Sequence, residues 1–237
     1  ALPISYFGHH VEQGYNGVYF SGLADSWARN LSFVNADSAV ITYDSANLTL
    51  SDIKTSGNRQ AHYAVHMGNV HNVLAQNIQI FNPVTHSLTF NTQSTRSVYK
   101  DSEVFVKANL DQHAGANHQN LFDNVTLHID AIEGKDYASF PVYDGSGAGY
   151  WQPGHGRYNT TWNLRIIVES GAPASQMVQI EGLEEGPDAR NIGLSGNRPL
   201  RLKYVPEPYI ESVNKRIDSV PSLYTYQLMQ RHLKNNE

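Results

Sequence analysis

A short apolar segment that begins with a small polar residue recurs along the first two thirds of the chain. The six segments are Asn30–Asn35, Asp52–Lys54, Asn77–Asn82, Ser102–Lys107, Asn124–Ile129 and Asn163–Val168. Their first residues are separated by 22, 25, 25, 22 and 39 positions. A second set lies between them: Gly17–Phe20, Val40–Tyr43, Ala64–Met67, Leu88–Phe90 and Gln119–Leu121. Such short apolar alternations predict β-strands, two or three in each unit of about 20 to 25 residues.

These units predict an all-β fold, a right-handed parallel β-helix in which about six to eight coils stack into a solenoid. A doubly wound α/β sheet is disfavoured because its crossovers need helices, and no helical periodicity lies between the segments. An immunoglobulin-like sandwich would not keep one Asn-led register over several units. Because an Asn amide can hydrogen-bond to the coils above and below it, we expect the repeated Asn residues to be structural.

The chain is expected to divide into a solenoid and a short C-terminal region. The parallel β-helix is predicted over residues 1–202, with an insertion at about 131–158 that is rich in Gly and aromatic residues. Residues 203–237 are predicted to form an extended tail, marked by Pro206 and Pro208, and a helix that packs on the solenoid. Ser222 is the candidate N-cap of this helix, and apolar residues stand at 223, 226, 229 and 233.

Composition narrows the possible partners. Only 16% of the 237 residues are charged and the net charge is −5, so a nucleic-acid-binding surface is not expected. No apolar run reaches the roughly 20 residues that cross a bilayer, so a membrane is not expected as a partner either.

The coil length, the repeated Asn and the short apolar strands together resemble the pectate-lyase-like superfamily of right-handed parallel β-helices, over about residues 15–200. Three stretches, Arg59–His62, Asp111–His113 and His118–Asp123, are also similar to segments of bacterial β-helix proteins that act on carbohydrates. The resemblance implies a fold shared by polysaccharide lyases, glycoside hydrolases and phage tailspikes, which bind sugar polymers along the stack. We therefore expect a secreted or periplasmic protein whose partner is a polysaccharide.

Three histidines fall at similar offsets within their units. His62 is 10 residues after Asp52, His86 is 9 after Asn77, and His113 is 11 after Ser102. Because stacked strands lie about 4.8 Å apart, these imidazoles are expected in one groove on neighbouring coils. Residues expected around them are Arg59, Tyr63, His66, Lys107, Asp111 and His118. The alternative is a purely structural ladder, in which each His bridges coils as an Asn would.

These residue types suit β-elimination on a uronate polymer, which needs a cation for the sugar carboxylate, a base and an acid. The expected catalytic residues are Arg59 or Lys107 on the carboxylate, His62 or His113 as base, Tyr63 as acid or orienting group, and Asp111 holding an imidazole. Substrate binding is expected from His66, His86, Lys107, His118, Tyr150, Trp151, His155 and Arg157, the last four in the insertion.

Two other functions remain open. A glycoside hydrolase would need two carboxylates about 5 to 9.5 Å apart, and only Asp111 shares the offset of the histidines. A non-catalytic glycan-binding or tailspike-type module would use the same groove.

No cofactor is predicted, because no glycine-rich loop opens a helix after a strand. A divalent metal held by Asp111, His113 and His118 is an alternative, since carboxylate and imidazole are common ligands. The first coil, around Tyr15–Phe20, has no amphipathic helix before it, so we expect a preceding segment or a partner chain to cover it.

Overall fold

The computed structural model describes residues 15–113, 115–144, 156–182 and 186–235. It is mostly β, with one short helix and one large parallel sheet. The strands are β1 (Val18–Ser21), β2 (Ala24–Val34), β3 (Ser38–Ser56), β4 (Ala61–His71), β5 (Leu74–Ile80), β6 (Val84–Phe90), β7 (Val98–Lys100), β8 (Glu103–Val104), β9 (Leu110–Gln112), β10 (Leu121–Asp123), β11 (Thr126–Asp130), β12 (Ala138–Asp144), β13 (Thr160–Trp162), β14 (Arg165–Ser170), β15 (Val178–Gly182), β16 (Arg190–Ile192), β17 (Ser195–Gly196), β18 (Leu200–Lys203) and β19 (Tyr209–Glu211). The helix is α1 (Leu223–Lys234).

The spacing of the paired strands matches the sequence repeat. From β1 to β11, partner residues in adjacent parallel strands lie 22 to 25 positions apart. In the described part of the chain these pairings form three ladders. One runs β1–β3–β4–β6–β9–β12–β15–β18, a second β2–β3–β5–β7–β10–β13–β16–β19, and a third β2–β3–β5–β8–β11–β14–β17.

Between the second ladder and the third, the chain turns a corner at a residue whose backbone is in the left-handed conformation. Asn30, Asp52, Asn77, Asp101, Asn124 and Asn163 all have φ between 48° and 58°. Asn and Asp adopt this conformation more readily than other non-glycine residues, so they suit a corner repeated in every unit. Their side chains also join the units: the amide of Asn77 donates to Asp52 at 2.6 Å, and that of Asn124 to Asp101 at 2.5 Å. The fourth unit therefore places Asp101 at this corner, not Ser102.

Columns of apolar side chains form the core between the ladders. Val40, Val65, Leu88, Leu110 and Tyr143 follow one another in register in the first ladder, and each is at most 1% exposed. Burying one such aliphatic side chain contributes about 1.5–3 kcal/mol. The stacked units thus bury a continuous core, and this fixes which residues of β4, β6 and β9 face away from it.

The segment expected to be an insertion contains a strand of the sheet. β12 pairs with β9 through Tyr143 and Leu110, and with β15 through Ala138 and Val178. The interruption is therefore shorter than the sequence predicts. Tyr150, Trp151 and His155 lie outside the described residues. Parallel pairing also runs past residue 202, because β19 pairs with β16.

The helix begins where the sequence predicts it. Ser222 is its N-cap, with Oγ accepting from the backbone N–H of Thr225 at 3.1 Å. Asp123, at the end of β10, accepts from Ser222 Oγ at 2.7 Å and from the N–H groups of Leu223 and Tyr224 at 3.1 and 2.9 Å. This carboxylate fixes the start of α1 against the sheet. In the part of the chain that the structure describes, no helix has the length and hydrophobicity needed to cross a bilayer.

Candidate functional site

Histidines gather on three strands that are neighbours in the first ladder. β4 pairs with β6, and β6 pairs with β9, all in parallel. We call the group at this place the imidazole cluster. Its members are His62, Tyr63 and His66 on β4, His86 on β6, Asp111 on β9, and His113 directly after β9.

The rings of the cluster are in continuous contact. The ring centroids of His62 and Tyr63 are 4.2 Å apart, and Tyr63 stacks on His86 at 5.0 Å with an interplanar angle of 25°. His66 meets Tyr63 edge-on at 4.7 Å, and His113 meets His86 edge-on at 5.1 Å. Asn91 donates an amide hydrogen to Tyr63 Oη at 3.4 Å.

Asp111 links two of the imidazoles. Its Oδ2 lies 3.1 Å from Nδ1 of His86 and 3.0 Å from Nδ1 of His113, and the residue is fully buried. Burial acts to raise the pKa of this carboxyl, but the hydrogen bonds from His113 and His86 outweigh it and hold the pKa well below its usual range. Asp111 is therefore a carboxylate at neutral pH and accepts from both rings.

His66 has a fixed tautomer. Its Nδ1 lies 3.2 Å from the carbonyl oxygen of Thr42, which can only accept, so Nδ1 carries the proton and Nε2 has the lone pair. Removal from water lowers the pKa of His66 to about 4; the bond to Thr42 opposes this, and the nearby His113 and His86 add to it. The imidazole is consequently neutral throughout the physiological pH range.

The histidines do not share one register position, contrary to the offset argument. Tyr63, rather than His62, is the backbone partner of His86, while Asp111 is opposite Thr89, which in turn is opposite His66. The rings meet diagonally across the strands. The units differ in length by a few residues, and this difference moves the register without separating the rings.

Exposure divides the cluster into two layers. His62 is 2% exposed and His86 7%, so both are in the buried layer together with Asp111. Tyr63, His66 and His113 are half-buried. A polymer on the surface can reach these three, whereas His62 is placed to support them.

The two predicted cations lie at the edge of the cluster. Lys107 is exposed, and its Nζ donates to Gln60 Oε1 at 2.9 Å. Gln60 in turn donates to Thr85 Oγ1 at 3.0 Å, at the beginning of β4 and β6. Arg59 is exposed in the bend before β4, where its backbone N–H donates to Asn35 Oδ1.

His118 and Arg157 lie in a different column from the cluster. Isolated parallel bridges join His71 to Thr95, Thr95 to His118, and His118 to Arg157. Nδ1 of His118 is 2.8 Å from the carbonyl oxygen of Ala116. These residues precede the second ladder, so the structure does not place them with His113.

Three groups of the cluster could hold a metal ion. One ligand atom each from His86, Asp111 and His113 lies within 4.8 Å of the others. The N···O separations of 3.0 and 3.1 Å are those of hydrogen bonds, and they are shorter than the roughly 3.4 Å between tetrahedral ligands that lie 2.1 Å from a zinc ion. His118, expected in such a set from the sequence, does not belong to this group.

Sequence reasoning missed Thr42 and Asn91, which position His66 and Tyr63. Thr42 precedes His66 by 24 residues, close to one repeat, so the register of the units could have pointed to it. Asn91 comes directly after β6, at a turn that no repeat of residue type marks.

Comparison of the chain with protein-family models, with curated proteins and with solved structures gives no significant match.

Proposed function

We propose that this chain is a right-handed parallel β-helix of about six to eight coils, of the pectate-lyase-like kind, that cleaves a uronate-containing polysaccharide by β-elimination at the imidazole cluster. The three parallel ladders and the 22 to 25 residue period support the fold proposal. We further propose a secreted or periplasmic location, because polymers of this kind lie outside the cytoplasm.

The observation that carries the reaction is the bonding of Asp111 to two imidazoles. Since its carboxylate only accepts, Nδ1 of both His86 and His113 donates a proton to it, and Nε2 of each ring has the lone pair. A carboxylate that fixes the tautomer and orientation of an imidazole is the arrangement that makes a general base. His113 is the more exposed of the two rings, so it is assigned as the base.

The reaction is then one proton abstraction and one bond cleavage. Nε2 of His113 takes the proton from C5 of the uronate, and the C–H electron pair becomes the C4–C5 double bond. The bond between C4 and the glycosidic oxygen breaks, and Tyr63 Oη–H protonates the leaving oxygen. Lys107, held by Gln60 beside the cluster, neutralises the sugar carboxylate, with Arg59 as the other cation available.

The protonation state of Asp111 argues against hydrolysis by paired carboxylates. Such hydrolysis needs a carboxylic acid whose pKa is raised so that it can protonate the leaving group. Burial acts to raise the pKa of Asp111, but its two imidazole partners outweigh burial and lower the pKa. Asp111 is therefore suited to orient a base and not to donate a proton.

A metal-dependent reaction is the second candidate, favoured by the three ligand atoms of His86, Asp111 and His113. An ion there would supply Lewis acidity toward the sugar carboxylate. The ion would bind the Nδ1 lone pairs of His86 and His113, so their Nε2 atoms would carry the proton. His66 Nε2, whose lone pair stays available, would then act as the base.

The test is incubation with a panel of uronate polymers, followed by the ultraviolet absorbance of the unsaturated product. Wild-type protein should produce it, His113→Ala should lower the rate by a factor of about 10² to 10⁴, and the exposed His232→Ala should not change it. New reducing ends without unsaturation would indicate a hydrolase. Binding without any cleavage would indicate a glycan-binding module.

A further inference from the structure

A groove separate from the imidazole cluster lies between the second ladder and the C-terminal helix. Its floor is formed by three strands in register, where Leu121 of β10, Thr160 of β13 and Arg190 of β16 are successive partners. Leu223 and Gln227, one turn apart on α1, form one wall. The groove is open to solvent, has a volume of about 380 Å³, and shares no lining residue with the cluster.

The other wall consists of residues at strained corners. Asn72, Arg96, Gln119 and Tyr158 each follow a residue of the bridge series His71–Thr95–His118–Arg157, so they form one column along the stack. All four have a left-handed backbone, with φ between 54° and 60°. Gln119 and Tyr158 line the groove.

This column changes in residue type at Arg96, one unit before the groove. Its earlier positions are Asp25, Asn47 and Asn72, whose side chains are joined by amide hydrogen bonds of 2.9 and 3.2 Å. The next three positions are Arg96, Gln119 and Tyr158.

A third column of left-handed corners changes from Asp44 and Asn69 to Gln93, whereas a second column keeps small residues. From Asn30 to Asn163 it contains only Asn and Asp, and Gly193 follows. A left-handed backbone is unfavourable for long and aromatic side chains, so their occurrence at three successive corners needs a gain elsewhere. Their side chains do not continue the series of amide hydrogen bonds that joins Asp25, Asn47 and Asn72. Two of them, Gln119 and Tyr158, instead present their side chains to the groove that they line.

The side chains at the groove suit an acidic sugar. Tyr158 is 37% exposed and offers an aromatic face. Arg190 lies in the floor, and the guanidinium of Arg157 is 4.8 Å from the ring centroid of Tyr158. Arg157 is 58% exposed and its Nε is 3.5 Å from Asp188, an exposed pairing that contributes little stability and can be exchanged for a ligand carboxylate. Gln119 and Gln227 add amide groups for sugar hydroxyls.

We infer that this groove is an accessory binding site for uronate residues of the same polymer that is cleaved at the imidazole cluster. The substrate class rests on the proposed function, whereas the site itself rests on the groove and its corner residues. His113 and Gln119 are six residues apart, so their Cα atoms lie within about 20 Å of each other. One polymer chain can therefore occupy both places, which increases its effective concentration at the cluster.

The experiment measures binding without turnover. Titration calorimetry is performed with uronate oligosaccharides on protein that carries His113→Ala. In this background Tyr158→Asn removes the ring and keeps a residue that tolerates the left-handed corner, while Arg190→Gln removes one charge. Each change should weaken binding about tenfold, because each removes a stacking face or a charge-assisted hydrogen bond. Circular dichroism and thermal melting establish that both variants are folded.

The matched controls are Trp27→Ala and Arg29→Gln, an exposed aromatic and an exposed arginine about 90 residues before Gln119 in sequence, and both should bind as the parent does. Unchanged affinity in both groove variants would overturn the accessory site, even if the wild-type protein cleaves uronate polymers. Binding of neutral but not acidic oligosaccharides, lost in Tyr158→Asn, would overturn the ligand class. Failure of the proposed function would be seen separately, as wild-type protein that forms no unsaturated product.

Discussion

Replacing Asp111 by Asn tests the assignment of the cluster most directly. The carboxylate is fully buried and accepts from Nδ1 of His86 and of His113. Both bonds end at Oδ2, so in Asn either a neutral amide oxygen takes the place of the charged acceptor for both imidazoles, or the amide NH2 group faces both Nδ1–H groups and forces the rings into the wrong tautomer or orientation. We expect Asp111→Asn to reduce the elimination rate by a factor of about 10² to 10⁴, the usual contribution of a positioned general base.

The same substitution should lower stability by a predictable amount. Losing a buried hydrogen bond to a charged group, or leaving its partner unsatisfied, costs about 1–3 kcal/mol. For a chain of this size that corresponds to a decrease of about 2 to 12 °C in melting temperature. The exposed Asp218→Asn is the control, since its side chain is 87% exposed and its replacement should leave both quantities unchanged.

The pH dependence supplies a third readout of this substitution. The folded-state pKa of Asp111 is depressed, because the bonds from His113 and His86 outweigh the opposing effect of burial. Its stabilisation is therefore present above the unfolded carboxyl pKa of about 3.9 and lost as pH falls toward the folded pKa. Asp111→Asn should thus melt with a shallower acid dependence below about pH 4. If Asp111→Asn has the same activity, melting temperature and acid dependence of melting as the wild-type protein, the assignment is refuted.

Three further predictions concern metal, acid and the helix. If the cluster acts by acid–base chemistry, EDTA should leave the elimination rate unchanged, and Zn²⁺ should inhibit by binding to His86, Asp111 and His113. If EDTA instead abolishes activity and Zn²⁺ restores it, the site is metal-dependent. Because the pKa of His66 is lowered from 6.5 to about 4 in the folded state, its stabilisation is present above pH 6.5 and is lost as pH falls from 6.5 to 4. His66→Gln should therefore make the melting temperature less dependent on pH in that window. An unchanged pH dependence in differential scanning fluorimetry would contradict this. Asp123→Ala should release the start of α1 at a cost of about 0.5–2 kcal/mol and increase proteolysis within the helix, and protection equal to wild type would count against the capping role.

Local chemistry explains what could be predicted from the sequence by itself. Left-handed corners favour Asn and Asp, and short strands need alternating apolar residues, so both leave a period that can be read directly. For this reason the structure agrees with the sequence in three features: the spacing of 22 to 25 residues, the helix after Ser222, and the parallel strands around Asn30, Asp52, Asn77, Asn124 and Asn163. The gathering of histidines near Asp111 follows from the same period.

Only the tertiary structure decided register, burial and the neighbours of each side chain. Units that differ in length by one to three residues shift the register, and the sequence does not show where the extra residues are accommodated; Tyr63 therefore faces His86 where His62 was expected. The burial of His62 depends on residues from several units, and so does the pairing of His66 with Thr42. The groove exists because Asp123 holds a helix about 100 residues away in sequence against the second ladder. Such contacts have no local signature, since they arise when distant segments are brought together by the packing of the whole stack.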